Sequence, residues 1–330
     1  MSEKTFVTGA TGFVGAAVVR KLLEEGHEIA VLCRPNNDRT NIDGLEVEVV
    51  EGDLTQPETY RDALRGCKNL FHVAADYRIW VPNPVAMDKV NVEGTRGVML
   101  AALDAGVERI VYTSSVATLG LHGDGTPSNE ATPVSFADMI GVYKQSKYRA
   151  EEEVMRMIQH HGLPAIIVNP STPVGPRDIK PTPTGKIIVN AMLGLIPAYV
   201  DTGLNVVHVD DVADGHWLAL QKGKIGERYI LGGDNHTLSE ILLMIAKIGG
   251  HKAPTLKLPR QLLYPIATVM EFVGRHTRWE PFVTRDALRM SEKKMWFSSA
   301  KAEKELGYTH RPVERAFVEA IDWFQTNMYC

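Results

Sequence analysis

Cysteine is scarce in this 330-residue chain. The three present, Cys33, Cys67 and Cys330, are odd in number, far apart and form no CxxC pair. That argues against a disulfide scaffold or a zinc site and fits a reducing compartment. Positive charge is not in excess, with 36 Lys and Arg against 40 Asp and Glu and a formal charge of -4. The basic face of a nucleic-acid binder is therefore not expected. Long apolar runs are missing too. The richest, residues 262–273, is broken by Pro265 and Glu271 and falls short of the ~20 residues that cross a bilayer. A helix lying on a membrane is one reading of that segment; burial in a helical C-terminal domain is the expectation. Met1-Ser2-Glu3-Lys4 leads straight into a strand-like segment, with no apolar region and cleavage site. The chain thus reads as cytoplasmic, without a leader or a transmembrane segment.

What is present is alternation. Short apolar runs at 5–8, 29–32, 47–50, 70–73, 110–112 and 165–168 are separated by helical patterns at 13–25, 57–64, 84–105 and 141–160. In the first helix Val14, Val18 and Leu22 share a face, and Gly26 stands where a C-terminal cap belongs. Strands alternating with helices predict βαβ units, hence an α/β, doubly wound parallel sheet of the Rossmann type. After Asn169, prolines at 170, 173, 176, 181 and 183 read as a loop leaving the sheet. Later strands at 206–209 and 229–231 flank a helix at 210–221. The rest is mostly helical, at 238–248, 261–273, 300–306 and 312–324. The expected division is a Rossmann domain of residues 1–170 with about 204–232, and a smaller, mostly helical substrate domain of about 171–203 and 233–330.

Thr8-Gly9-Ala10-Thr11-Gly12-Phe13-Val14-Gly15 joins the first strand to the first helix. Gly9 permits a tight turn, Gly12 lets the backbone approach a pyrophosphate, and Gly15 lets helix and strand pack closely. With Thr11, Phe13 and Val14 the loop offers free helix N-terminal N–H groups to phosphates. A strand before it and a helix after it are the context that a dinucleotide-binding loop requires. NAD-selective sites place Asp or Glu at the end of the second strand, but here the residues are Cys33-Arg34. Arg34 can pair with a 2′-phosphate, worth about 1.5–3 kcal/mol, so NADP(H) is expected over NAD(H), which stays possible. A solvated loop arginine is the plainer alternative. Asp53, followed by Leu54, is a candidate partner for the adenine amino group, or a simple turn cap.

Tyr143 and Lys147 stand four apart in a helical pattern and so share one face. A phenol working near neutrality needs its pKa lowered by about 3, and a cation about 4 Å away supplies that; Lys147 is expected to be the cation. Thr113-Ser114-Ser115 follows the fifth strand, at the sheet edge where ligands bind. Position alone does not separate Ser114 from Ser115.

The glycine loop, Asp53, His72-Val73-Ala74-Ala75, Asn91, Ser114-Ser115 and Tyr143/Lys147 together resemble the extended short-chain dehydrogenase/reductase superfamily. Asn169-Pro170 and residues 207–213 agree, so the likeness spans nearly the whole chain. Residues 74–80, 169–173 and 180–185 resemble the bacterial hopanoid-associated sugar epimerases, which are similar to plant dihydroflavonol 4-reductases. The resemblance implies hydride transfer, with Tyr143 as general acid/base, Ser115 rather than Ser114 polarising the reacting oxygen, and Lys147 also holding the nicotinamide ribose. It implies support from Asn91, cofactor contacts from Ala74, Ala75, Asn169 and Ser171, and a homodimer through the helices at 84–105 and 141–160.

Tyr77, Arg78, Trp80, Lys180, Lys186, Tyr199 and Arg285 are candidate substrate contacts, each with an ordinary surface or packing role as the alternative. No metal site is expected: His208, Asp210, Asp211 and His216 read as a strand entering a helix, with Asp210 as its cap. A sugar epimerase or dehydratase is the first functional reading. An NADPH-dependent ketone reductase of the dihydroflavonol 4-reductase type is the second, and a non-catalytic NADP(H) sensor the third.

Overall fold

The apolar runs of the first half become one sheet. A computed structural model describes residues 3–78, 80–81, 84–277 and 281–330. Its strands are β1 (Lys4–Thr8), β2 (Glu28–Cys33), β3 (Val47–Glu51), β4 (Asn69–His72), β5 (Arg109–Thr113), β6 (Ala165–Pro170), β7 (Thr172–Val174), β8 (Ala198–Tyr199), β9 (Gly203–His208), β10 (Arg228–Leu231), β11 (Asp234–Thr237) and β12 (Leu256–Lys257). The helices are α1 (Phe13–Glu24), α2 (Pro84–Asp88), α3 (Thr95–Asp104), α4 (Gly141–His161), α5 (Pro183–Met192), α6 (Val209–Lys222), α7 (Leu238–Gly249), α8 (Tyr264–His276), α9 (Arg285–Met290), α10 (Ala300–Leu306) and α11 (Val313–Thr326). The main sheet is parallel, in the order β3-β2-β1-β4-β5-β6-β10. Strand order reverses between β1 and β4, and ligands bind beyond the carboxyl ends of strands at such a point.

Alternate residues of the strands feed two cores. Val7, Val31, Phe71, Val111 and Ile166 pack with α1 and α6. Phe6, Ala30, Leu70, Ile110 and Ile167 pack with α3 and α4 on the other face. A third core gathers Ile188 of α5, Ile241 and Ile245 of α7, and Phe317 and Phe324 of α11. Ala302, Leu306 and Tyr308 return to the first core beside α6.

Several expectations need correction. Residues 57–64 form two 3-10 turns rather than one helix. The helix expected over 84–105 is continuous, but a π turn, Lys89–Gly94, joins α2 to α3 within it. The proline-rich stretch is not merely a loop: it holds β7, and Pro183 opens α5 under a Thr182 cap, a position where its missing N–H costs nothing. His208, not Asp210, caps α6, its ring accepting from the Asp210 N–H at 3.0 Å. Finally, α8 is not buried in the C-terminal domain: among its side chains only Ala267, Glu271 and Gly274 are buried.

Candidate active site

The glycine loop is built for close approach. Gly9 has φ +77°, and a Cβ there would lie 2.6 Å from the Ala74 nitrogen. A Cβ on Gly15 would lie 2.0 Å from the Gly9 carbonyl oxygen. Gly12 precedes α1 with no side-chain cap, which leaves the first N–H groups of that helix open to an anion. Phe13 is buried and Val14 half-buried against the first core, so they contribute backbone only. The Thr11 hydroxyl accepts from Asn37 at 2.6 Å and ties the loop after β2 to the cradle. Ala74 and Ala75 are half-buried beside it. Arg34 is exposed, and with Pro35, Asn36, Asn37 and Asp53 it lines an open depression of about 410 Å³. One Asp53 oxygen caps Thr55, accepting from its N–H at 2.8 Å and its hydroxyl at 2.6 Å. Those bonds, with Arg34 nearby, hold the carboxyl below its usual range. Leu54 packs against Gly94 of the π turn. At the end of β6, Asn169 Oδ1 and Ser171 Oγ are buried without a partner in the protein. Buried polar atoms left unpaired in this way are expected to serve a ligand. The residues therefore fit a dinucleotide.

Beyond the cradle, α4 carries Tyr143 and Lys147 on one face. Burial pushes the pKa of the Tyr143 phenol up, and the nearby Ser115 hydroxyl pulls it down. This corrects the expected lowering by Lys147. The ammonium is committed elsewhere, donating to the Thr113 carbonyl at 2.9 Å and lying 5.0 Å from the centre of the Tyr112 ring. Burial lowers Lys147 to about 8, and Glu151 pulls it back up. The two serines part company. Ser115 turns towards Tyr143 and accepts from the Ala117 N–H at 3.1 Å, whereas Ser114 donates to the buried Glu151. Asn91 lies in the π turn and touches none of these groups. It brackets Asp76, accepting from its N–H at 2.7 Å and donating to its carbonyl at 2.9 Å, and reaches Ser146 of α4. Asn91 is thus a brace between α4 and the loop after β4.

Residues 5–232 match the NAD dependent epimerase/dehydratase family. The chain belongs to that family. It is an NAD(P)-dependent enzyme of the extended short-chain dehydrogenase/reductase type. A Synechocystis protein named provisionally as a dihydroflavonol 4-reductase is 44% identical across 100% of this chain and 96% of its own. Sterol demethylase protein B of Methylococcus capsulatus is 35% identical over 97% and 98%. Among solved structures, gox2253 superposes with a TM-score of 0.90 at 60% identity, covering 99% of both chains. PA4631 of Pseudomonas aeruginosa, described as a nucleoside-diphosphate-sugar epimerase, superposes at 0.82 with 27% identity, covering 100% and 99%.

In this epimerase/dehydratase-family enzyme the expected substrate residues do not converge. Arg78 is held by Asp76, and Tyr77 is exposed near Asp178. Lys180 is exposed and lies close enough to Asp38, in the loop after β2, to lower its pKa; that places it on the cofactor side. Tyr199 sits in the small β8–β12 pair. Arg285 is bound to Glu271 at 2.8 Å and joins α8 to α9. Trp80 is half-buried, Lys186 lies on α5, and Ile79, part of the resemblance, is outside the described residues. His208, Asp210 and Glu319 lie within reach of one another, but Asp210 is already paired with Arg177 and Arg311. His216 points away, to Thr113 and the Val212 carbonyl. The residue that sequence reasoning missed is Glu151. Its carboxylate accepts from Ser114, from Thr118 at 2.9 Å and from Asn169 at 3.0 Å. It also lies 2.8 Å from the Arg228 guanidinium, an ion pair by distance. The signal was its place four residues beyond Lys147, on the same helical face.

Proposed function

We propose that this enzyme reduces a ketone to a carbinol, reversibly, with NADP(H) as its cofactor and Tyr143, Ser115 and Lys147 as the reacting constellation. The observation that carries the reading is Arg34: an exposed cation beside the cofactor cradle, where an NAD-selective site has a carboxylate. Cells supply reducing power chiefly as NADPH, so a cofactor bound through its 2′-phosphate suits a reductase. The cradle from Gly9 to Gly15, with Ala74, Ala75, Asn169 and Ser171, holds the dinucleotide, and the bound cofactor supplies the hydride. Tyr143 gives its proton to the substrate oxygen, and Ser115, beside that phenol, holds the same oxygen in place. Lys147, held against the Thr113 carbonyl, binds the ribose. The proton returns to Tyr143 from solvent, which closes the cycle.

Titration of the purified protein with NADPH and NADH tests this. NADPH should bind the more tightly, and Arg34→Ala should weaken it about 10- to 150-fold with little change for NADH. Equal binding of the two cofactors by the native protein would overturn the assignment.

A sugar epimerase or dehydratase is the second reading, favoured by the family's name and by the likeness to PA4631, described as a nucleoside-diphosphate-sugar epimerase. Such an enzyme returns its hydride within each turnover. It would therefore be isolated with oxidised dinucleotide tightly bound, which absorbance and mass spectrometry detect. We further propose a cytoplasmic homodimer through α3 and α4, on whose side Leu100 is exposed.

A further inference from the structure

No helix among the described residues is long and apolar enough to cross a membrane, yet one helix is apolar on the side that faces water. Leu262, just before α8, and Ile266, Val269, Phe272 and Val273 within it are between 40% and 65% exposed. At 100° per residue they form one stripe. The opposite side of α8 is already used, with Ala267, Glu271 and Gly274 buried and Glu271 paired to Arg285 of α9. The inner side of α8 is thus fastened by small residues and an ion pair, while its apolar side chains face outward. An apolar stripe open to solvent marks a surface that something else covers.

Charge says what. Residues 250–294 hold nine Lys and Arg against four Asp and Glu, a balance of +5 in a chain whose total is -4, so the remainder carries -9. A second copy seated on this face through a two-fold axis would bring the two basic segments together. An anionic lipid surface does the reverse. It takes an apolar helical face into the headgroup region while attracting the net positive charge of the segment that carries it. We infer that α8 docks this enzyme on an anionic bilayer surface.

The site lies behind that face, on the inner side of α8. α9, clamped to α8 by Glu271 and Arg285, places Asp286 against Gly141, so that a Cβ on Gly141 would be 3.2 Å from its carboxylate. Gly141 opens α4 two residues before Tyr143.

Co-sedimentation of the full chain with lipid vesicles, without cofactor or substrate, tests the docking alone. Binding is expected to vesicles of phosphatidylcholine containing about 30 mol% phosphatidylglycerol. It should be at least ~10-fold weaker to phosphatidylcholine alone and should fall as salt screens the cations. Val269→Asp with Phe272→Asp should lower binding by at least ~10-fold with melting temperature and cofactor binding unchanged, since both side chains are exposed. Arg275→Glu should weaken it in the same direction. Failure to bind anionic vesicles would overturn the proposal. So would a double variant that still binds them, or one that instead dissociates a dimer in solution.

Discussion

Ser114 and Ser115 are neighbours that face opposite ways. Ser115 lies beside the Tyr143 phenol, and Ser114 is turned to Glu151. Tyr143→Phe should lower turnover by about 10²- to 10⁴-fold and Ser115→Ala by about 10²- to 10³-fold, with cofactor affinity little changed. Ser114→Ala should act on stability, by about 1–2 kcal/mol, and far less on rate. Steady-state NADPH oxidation and urea unfolding on the three variants separate these effects; a Ser114→Ala enzyme as slow as Ser115→Ala would reverse the assignment. Glu151 acts through others. Its charge supports protonated Lys147, whose pKa stands at about 8, so Glu151→Gln should lower that value. If Lys147 works as a cation, activity is lost as pH rises through its pKa, and in the variant this decline should begin at lower pH. A kcat profile that does not move would exclude the role. The tyrosine and lysine were legible because helical spacing fixes their shared face. What each polar atom binds was not, because Lys147 turned to a backbone carbonyl, a group present at every position.

Elements were legible where burial set the pattern. Both faces of the central strands are covered, so β1, β4, β5 and β6 carry adjacent rather than alternating apolar residues, and α10 fell on its expected residues. Reading failed where backbone detail decided. Nothing in the residues 84–105 taken singly marks a π turn; Gly94 lies against Leu54 from a distant loop. The outward stripe of α8 misled for a different reason, since apolar spacing does not say whether a neighbour exists to cover it. The joint between β1 and α1 gives a prediction at this scale. A Cβ on Gly15 would lie 2.0 Å from the Gly9 carbonyl oxygen, so either the turn or the helix must move. Gly15→Ala should cost about 1–3 kcal/mol and abolish tight dinucleotide binding, whereas Gly123→Ala, with nothing within 4 Å, should change neither. Calorimetry with NADPH titration on both variants is the check. Undiminished affinity in Gly15→Ala would mean that the cradle is not the cofactor site.

At the scale of the whole molecule, two histidines buried against opposite faces of the sheet link stability to acidity. His72 lies between the Thr8 hydroxyl at 2.7 Å and that of Thr95 at 2.9 Å, and burial with Lys147 nearby lowers it to about 3. His216 donates from Nδ1 to the Val212 carbonyl at 2.7 Å, so its Nε2 accepts from Thr113; burial lowers it to about 4. Both stay neutral in the folded protein while the unfolded chain takes up protons below about pH 6.5. The unfolded state then binds more protons, and stability falls with pH by about 1.4 kcal/mol per unit for each histidine. Nothing is lost above 6.5. Asp178, buried and pushed up to about 6, works in the opposite sense below pH 6, because there the folded state holds the extra proton. It offsets one histidine and leaves the other. The melting temperature should therefore fall steadily from pH 6.5 to 5. His216→Asn keeps a donor for the Val212 carbonyl but does not titrate, so below pH 6 its curve should fall less steeply than that of the native protein, at the cost of a lower plateau above. If the variant and the native protein lose stability in parallel, the acid sensitivity belongs to other groups, and neither core histidine is held neutral by the fold.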